Sequence, residues 1–478
     1  MPGAGSARNA PDLQIQNGKQ NGFSTVAPQV MIEGNPKVPE TRLYKKRWAI
    51  LVMFCLLSAS NGAQWIIYSI ISPIISDFYG VSYAAINWTS MVYMLTYIFF
   101  FIPAAWLLDK YGLRLSILLG AAGNCIGAWI RIFSTTPDAF WITMIGQTIV
   151  GASQMFTLGA PPRLAAVWFG ADEVSTACAA GVFGNQLGIA IGFVLPPMIV
   201  QNGTSEEVAE DLMSLFLYSA VLNTIIFTLI ICFFSARPKM PPSYAQITAL
   251  EQSIDSNFMG TMKKLLTNKE FLLLFLTYGM NTGVFYAVST ILAEMIEVVY
   301  PGESEASGRI GLAMVLAGMF GSVVGGVCLD KFKKFKLITF VVYFFSFLGM
   351  VFFTFTLELD ISMVYTGAIA LGFFMTGYLP IGFEFAAELT FPCAEGTMSG
   401  LLNASAQIFG IALTWAAGSL LHWLGIFTSN TVMIGVLILG TILTALIRED
   451  LKRQKAQKAQ VHLPTSETQL TSYTVVAD

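Results

Sequence analysis

The sequence predicts an all-α membrane protein of twelve transmembrane helices in two six-helix halves. Three observations predict it. Of 478 residues, 55% are apolar and only 12% charged, and the mean hydropathy is +0.65; soluble domains carry about 25% charged residues. Apolar runs long enough to cross a hydrocarbon core of about 30 Å recur along the chain. Finally, features of the first six runs return in the last six at one fixed offset.

The elements follow in order. Residues 1–46 are rich in Gly, Pro, Asn, Gln and Ser, show no apolar period and read as a disordered tail. Lys45-Lys46-Arg47 abut the first span, 48–75. Spans at 84–108, 113–133, 139–160, 174–200 and 212–235 complete an N-terminal half, 47–235. A polar, basic stretch, 236–268, breaks the pattern as a linker. The C-terminal half, 269–447, holds spans at 269–299, 307–329, 337–357, 362–386, 397–423 and 428–447, and 448–478 is a charged tail. Twelve crossings put both termini on one side. The loops of that side carry Lys45, Lys46, Arg47, Lys110, Arg114, Arg163, Lys263, Lys264, Lys331, Lys333 and Arg448, whereas the opposite loops carry mainly acids, with only Arg131 and Arg309 toward that face. Positive charge marks the cytoplasmic side, so both termini are expected there, and the sequon Asn202-Gly203-Thr204 falls outside, with Asn202 a glycosylation candidate.

Composition also excludes classes. A net charge of −3 offers nucleic acid no partner. The six cysteines stand singly and only two histidines occur, so neither a disulfide framework nor a metal site is expected, and no cofactor is. No GxxxxGK[ST], HExxH or Ser/His/Asp grouping suggests an enzyme. The loops and tails are too small for an extracellular recognition domain, and a monomer embedded in the bilayer is the expected form.

Asp109-Lys110 closes the second span, in Ala105-Trp-Leu-Leu-Asp-Lys-Tyr-Gly-Leu-Arg114, and Asp330-Lys331 closes the eighth, 221 residues later. The same offset carries Trp65 to Tyr286, Gln186 to Gln407 and Arg163 to Glu384. Four separate features on one offset argue for two homologous halves. Two parallel six-helix halves with an Asp-Lys loop after spans 2 and 8 resemble the major facilitator superfamily. The resemblance implies a substrate site near the midplane between the halves, lined by spans 1, 4, 7 and 10.

Trp65 lies 17 residues past Trp48, about 25 Å along a helix. That is deep for a tryptophan, which favours the membrane edge. With Asn61 and Gln64 beside it, Trp65 suggests a wet cavity or an interhelical packing position. In the superfamily arrangement it faces Tyr286. Two opposed aromatic faces suit a cation, each worth up to about 2 kcal/mol when desolvated. Gln154 and Gln407 add amides at similar depth; Gln186, Tyr93 and Met94 are further candidates. Polar side chains at this depth are costly and usually functional, the structural alternative being interhelical hydrogen bonds. Near the inner end, Glu384 is a candidate for proton coupling or for a gate with Arg163. Asp109, with Lys110 and Arg114, and Asp330 resemble the superfamily's gating loops, in which the aspartate meets a helix N-terminus of the other half, here near Glu395 and Glu173. Ala105 replaces the first loop's opening glycine, and the second loop lacks the later glycine.

Several stretches are similar to the feline leukaemia virus subgroup C receptor-related transporters: Gln64-Trp-Ile-Ile-Tyr, Val167-Trp-Phe-Gly-Ala-Asp-Glu-Val-Ser, Gly184-Asn-Gln-Leu-Gly, Gly377-Tyr-Leu-Pro-Ile-Gly-Phe-Glu and Ser399-Gly-Leu-Leu-Asn-Ala-Ser-Ala-Gln. The resemblance runs from Arg47 to Arg453, with Ile67 where the family is expected to have Gln. It implies facilitated transport of choline and ethanolamine, with Trp65 and Tyr286 holding the ammonium and Gln154 and Gln407 completing the pocket. It further implies the plasma membrane, with the endoplasmic reticulum and mitochondrial membranes left open. Haem transport, also described for the family, lacks axial ligands here: His422 is at an outer end. A haem exporter and a proton-coupled organic-cation carrier stay as alternatives.

Overall fold

A computed structural model describes residues 41–170, 173–242, 258–391, 393 and 395–452. The expected tail at 1–40, the middle of the linker and 453–478 lie outside the described residues. Within the described residues all regular structure is helical. Span 1 comprises Lys46–Ile66, a 3-10 turn at Ser69–Ile71 and a short helix Ser72–Tyr79; spans 2 and 3 are Tyr83–Tyr111 and Leu113–Ile132. Span 4 is Phe140–Leu158, continued after a break by Pro161–Trp168; spans 5 and 6 are Val174–Ile199 and Ser205–Phe233. After a short helix, Phe258–Thr267, spans 7 to 12 are Lys269–Val299, Ser304–Phe332, Phe335–Thr356, Ile361–Thr390, Glu395–Leu424 and Ile426–Leu446. Eleven described helices are long and apolar enough to cross a membrane; span 4, broken by Gly159 and Pro161, is the remaining crossing.

Local chemistry sets the boundaries. Span 6 starts well before its apolar run because Thr204 and Glu207 form a capping box: Glu207 N donates to Thr204 Oγ (3.4 Å) and Thr204 N to Glu207 Oε2 (2.8 Å). This cap uses the threonine of the Asn202 sequon, and Asn202 itself is exposed. Pro73 has no N–H to give Ser69, four residues back, which weakens the helix where span 1 breaks.

The ends of both halves meet on one side. Arg42 N donates to Pro241 O (3.1 Å), Lys46 Nζ to Ser235 Oγ (2.6 Å), and Arg448 N to Glu270 Oε2 (2.6 Å). We call this the terminal side and the other the far side. Within each half, glycines allow helix backbones to touch, as apolar lipid gives helices little hydrophobic reason to associate. A Cβ at Gly188 would lie 2.0 Å from Ala59 O, between spans 5 and 1; one at Gly372 would lie 2.0 Å from Met314 O, between spans 10 and 8.

Both halves also place a positive φ after their second span. After span 2 the chain turns at Gly112, with φ +83°. The residue 221 positions later is Lys333, with φ 52° and ψ 24°, the left-handed region, after span 8. The two turns share a positive φ but not ψ, which is 177° at Gly112, and a lysine in the left-handed region costs roughly 1–2 kcal/mol. Lys333→Gly is expected to stabilise the protein by about 0.5–1 kcal/mol, after the larger unfolded-state entropy of glycine is subtracted. A thermal melt of the detergent-purified variant checks this, and an unchanged or lowered midpoint contradicts it.

Candidate functional site

Spans 1, 2 and 5 of the first half face spans 7, 11 and 8 of the second along a seam, and three layers of side chains meet there. In the middle layer Trp65 and Tyr286 touch, ring centroids 5.4 Å apart and planes at 68°. Trp65 is buried and Tyr286 half-buried. Edge-to-face contact is the favoured geometry for two rings whose faces are negative and edges positive. Gly410 of span 11 makes room beneath them: a Cβ there would stand 2.8 Å from Met94 Sδ and 3.2 Å from Tyr286 Cδ2. Met94 thus joins the ring pair. Gln407, buried one turn earlier on span 11, lies near the Tyr286 hydroxyl.

Gln154 and Gln186 are half-buried, and each keeps a buried side-chain oxygen with no hydrogen-bond partner among the described residues. Asn61 and Tyr93 go elsewhere. Asn61 Nδ2 donates to Asn124 Oδ1 (2.8 Å) and Val150 O (3.3 Å), and Tyr93 Oη donates to Gln147 Oε1 (3.2 Å), all inside the first half. A ring that the sequence reading passed over belongs to the seam. Tyr97, one turn from Met94, is buried, stacks on Phe101 (5.9 Å) and lies near Asn403 of span 11. Its helical spacing from Met94 was the available signal.

The far layer shuts the seam. Tyr83 of span 2 stacks on His422 of span 11 at 4.9 Å and 22°, and His422 Nε2 lies 3.0 Å from Glu294 Oε2 of span 7. Asn87 of span 2 lies near the same carboxylate, which is buried. Beside them Phe193 of span 5 fills a notch left by Gly308 and Gly311 of span 8; a Cβ at Gly311 would lie 2.2 Å from its ring. Glu294 was not singled out from sequence because it stands five residues before the end of span 7, with Glu297 following it, where acids near a span end read as solvated. Toward the terminal side the facing ends are wetter: Glu384 is exposed, Arg163 half-buried, and a Cβ at Gly396 would meet nothing within 4 Å.

The gating residues divide. Lys110 Nζ lies 4.6 Å from the Trp106 ring, and Arg114 Nη2 donates to Ile231 O (3.3 Å), within the first half. Glu173, at the helix start expected to meet Asp330, pairs with Arg47 of its own half (3.0 Å). The side chains of Asp109, Asp330 and Glu395 lie outside the described residues.

One charge is placed differently from the loop reading. Arg309 is exposed and pairs with Glu305 (2.5 Å). Arg131 is not in a far-side loop: its side chain is fully buried among spans 1, 3, 4 and 6, donating to Gln64 Oε1, Gln147 Oε1 (3.3 Å) and Ser219 Oγ (3.4 Å). A crevice of about 410 Å³, lined by Gly321, Cys328, Lys334, Val341 and Phe374, opens on spans 8, 9 and 10 of the second half, away from the ring pair.

Comparison with known proteins agrees with this arrangement. Residues 53–408 match the Major Facilitator Superfamily profile. The choline/ethanolamine transporter flvcr2b of Danio rerio is 50% identical over 453 residues, 94% of this chain and 93% of its own. The human choline/ethanolamine transporter FLVCR2 is 48% identical over 420 residues, 87% of this chain and 80% of its own. An MFS-type transporter of Caenorhabditis elegans is 66% identical over 448 residues, 93% of this chain and 76% of its own. Among solved structures, a bacterial homologue of the human lysosomal transporter Spinster, inward-facing and unoccupied, superposes with TM-score 0.65 at 14% identity, covering 85% of this chain and 98% of that one; this likeness concerns fold alone.

Gly311→Leu is expected to displace Phe193 and hold the far side open. Ile291→Cys, buried beside Gly418, should then react with a membrane-impermeant thiol reagent applied from the far side, several-fold faster than in the Gly311 background. Equal labelling in both backgrounds would show that this notch does not govern closure.

Proposed function

The chain belongs to the major facilitator superfamily and, within it, to the family of the FLVCR1 and FLVCR2 transporters; from that premise we propose that it carries choline and ethanolamine down their own gradients. Its relatives of that name are choline/ethanolamine transporters. We place it in the plasma membrane with both termini cytoplasmic, so that the far side is extracellular. The observation that carries the reading is the meeting of Trp65 and Tyr286, one from each half, at 5.4 Å across the seam. Without substrate the rings satisfy each other edge to face. An ammonium held between them exchanges one ring–ring contact for two ring–cation contacts, each with the cation within about 6 Å of a centroid. The rings must part to admit it, so binding and the relative motion of the halves are mechanically linked.

A methylated ammonium has no N–H to offer a carboxylate, and aromatic faces serve it better. The buried free oxygens of Gln154 and Gln186 are acceptors suited to the hydroxyl that choline and ethanolamine share. Ethanolamine, with N–H groups, can use the same oxygens at its charged end.

A second reading, proton-coupled exchange, is favoured by the Glu294–His422 pair (3.0 Å), an ionisable couple at the far-side closure. Glu384, the earlier candidate for coupling, is exposed. Haem loses ground: within the described residues the single histidine already holds Glu294 and stacks on Tyr83.

Radiolabelled choline should enter cells or proteoliposomes saturably and without an imposed proton gradient, with ethanolamine competing. Losing one ring–cation contact of about 2 kcal/mol corresponds to roughly a 30-fold rise in Km for Trp65→Ala; unchanged uptake would remove the cage. Abolition of uptake by a protonophore, restored by an inward proton gradient, would move the assignment to the second reading.

A further inference from the structure

We propose that Arg131 is a positioning residue for the cation site: it locks the peptide that carries Trp65. The inference rests on the cage reading above. Span 1 stops being an α-helix at Ile66, so the carbonyls of Gln64 and Trp65 lose the donors that a continuing helix would supply. Inside a membrane no water replaces them. Two side chains do. Gln147 Nε2 donates to Gln64 O (3.2 Å), and Ser90 Oγ donates to Trp65 O (3.1 Å).

Gln147 can do this only with its amide turned one way round, and Arg131 helps fix the turn. Gln147 Oε1 receives both Arg131 Nη1 (3.3 Å) and Tyr93 Oη (3.2 Å). With two donors on its oxygen, the amide nitrogen must face the other way, toward Gln64 O and Thr89 O (3.4 Å). Arg131 Nη2 meanwhile holds the side chain of Gln64 itself, whose Nε2 reaches Asn223 Oδ1 (3.4 Å). One guanidinium thus grips the residue before Trp65 through its side chain and, via Gln147, through its backbone. The Phe216 ring, 5.7 Å from Arg131 Cζ, shares the charge.

The structure also argues against a simple ion-pair role. Arg131 is fully buried, and no carboxylate pairs with it among the described residues. A buried cation beside a site for cations is tolerated for its geometry. A planar fork can address two glutamine oxygens at once, whereas a lysine is a single point of charge.

The test compares choline uptake by wild type, Arg131→Lys, Gln147→Leu and the double variant, each normalised to surface protein. Loss of positioning near a site costs up to about 100-fold, and we expect each single variant to raise Km about tenfold with little change in maximal rate. The double variant should be no worse than either single one. Wild-type Km in Arg131→Lys would show that only the charge matters. Fewer molecules at the surface with unchanged Km would show a purely structural role. Either overturns the proposal. Should these variants fail to reach the surface, Ser90→Ala, which removes the other carbonyl's donor, is expected to raise Km several-fold, and an unchanged Km would count against the lock. A readout without substrate separates this from the choline reading. In Trp65→Cys/Tyr286→Cys, cross-linking by a short bifunctional thiol reagent should slow several-fold when Arg131→Lys is added. Wild-type failure to take up choline sinks the cage reading alone; an unchanged cross-linking rate sinks the positioning role alone.

Discussion

Where span 1 stops being a helix, at Ile66, two backbone carbonyls lose their donors inside a membrane that offers none. The centre of the molecule is arranged around that debt. Ser90 and Gln147 supply the donors from spans 2 and 4. The residue at the break is Trp65, so the same bonds that satisfy the backbone set where the tryptophan ring lies. Continuous helix is the default in lipid because it needs nothing from its neighbours; broken helix is tolerated only where protein covers it. Span 7, the partner by duplication, has no such break over Lys269–Val299. The two halves share the 221-residue offset in sequence but present their rings on different backbones.

The seam combines contacts of different kinds at different depths. Far-side closure uses stacking, an ionisable pair and a phenylalanine set in a glycine notch. The middle uses two rings in contact. A carrier of this family must break one end of its seam and make the other, so strong, irreversible packing along the whole length would stop it. Alternating small contacts, each replaceable by water or substrate, fits a two-state element better than a continuous core. In the cage we propose, the Trp65–Tyr286 contact is the one that a cation replaces.

Buried ionisable groups in spans are costly, and the two most buried here, Arg131 and Glu294, are handled differently. Glu294 pairs with His422, on which Tyr83 of the first half stacks, and so is tied to whether the halves touch. Arg131 is held wholly within the first half, on amide and hydroxyl oxygens. The first arrangement can respond to closure; the second is indifferent to it and serves as a fixed point.

The chain's residues alone determined the helical class and the span positions and pointed to the duplication, because apolar length and a fixed offset survive without coordinates. They also paired Trp65 with Tyr286 through that offset. The direction of side chains was another matter. A span that is apolar all round carries little amphipathic signal to say which face meets protein, so Asn61 and Tyr93 were grouped with the cavity although they turn into the first half, and Tyr97 was passed over. Arg131 was read as a loop charge because charge near a span end usually seeks water. Only the tertiary structure supplied Gln64, Gln147 and Ser219 from three other spans, and with them enough hydrogen-bond acceptors to keep a guanidinium out of water. That assembly is non-local, and no local pattern in the sequence encodes it.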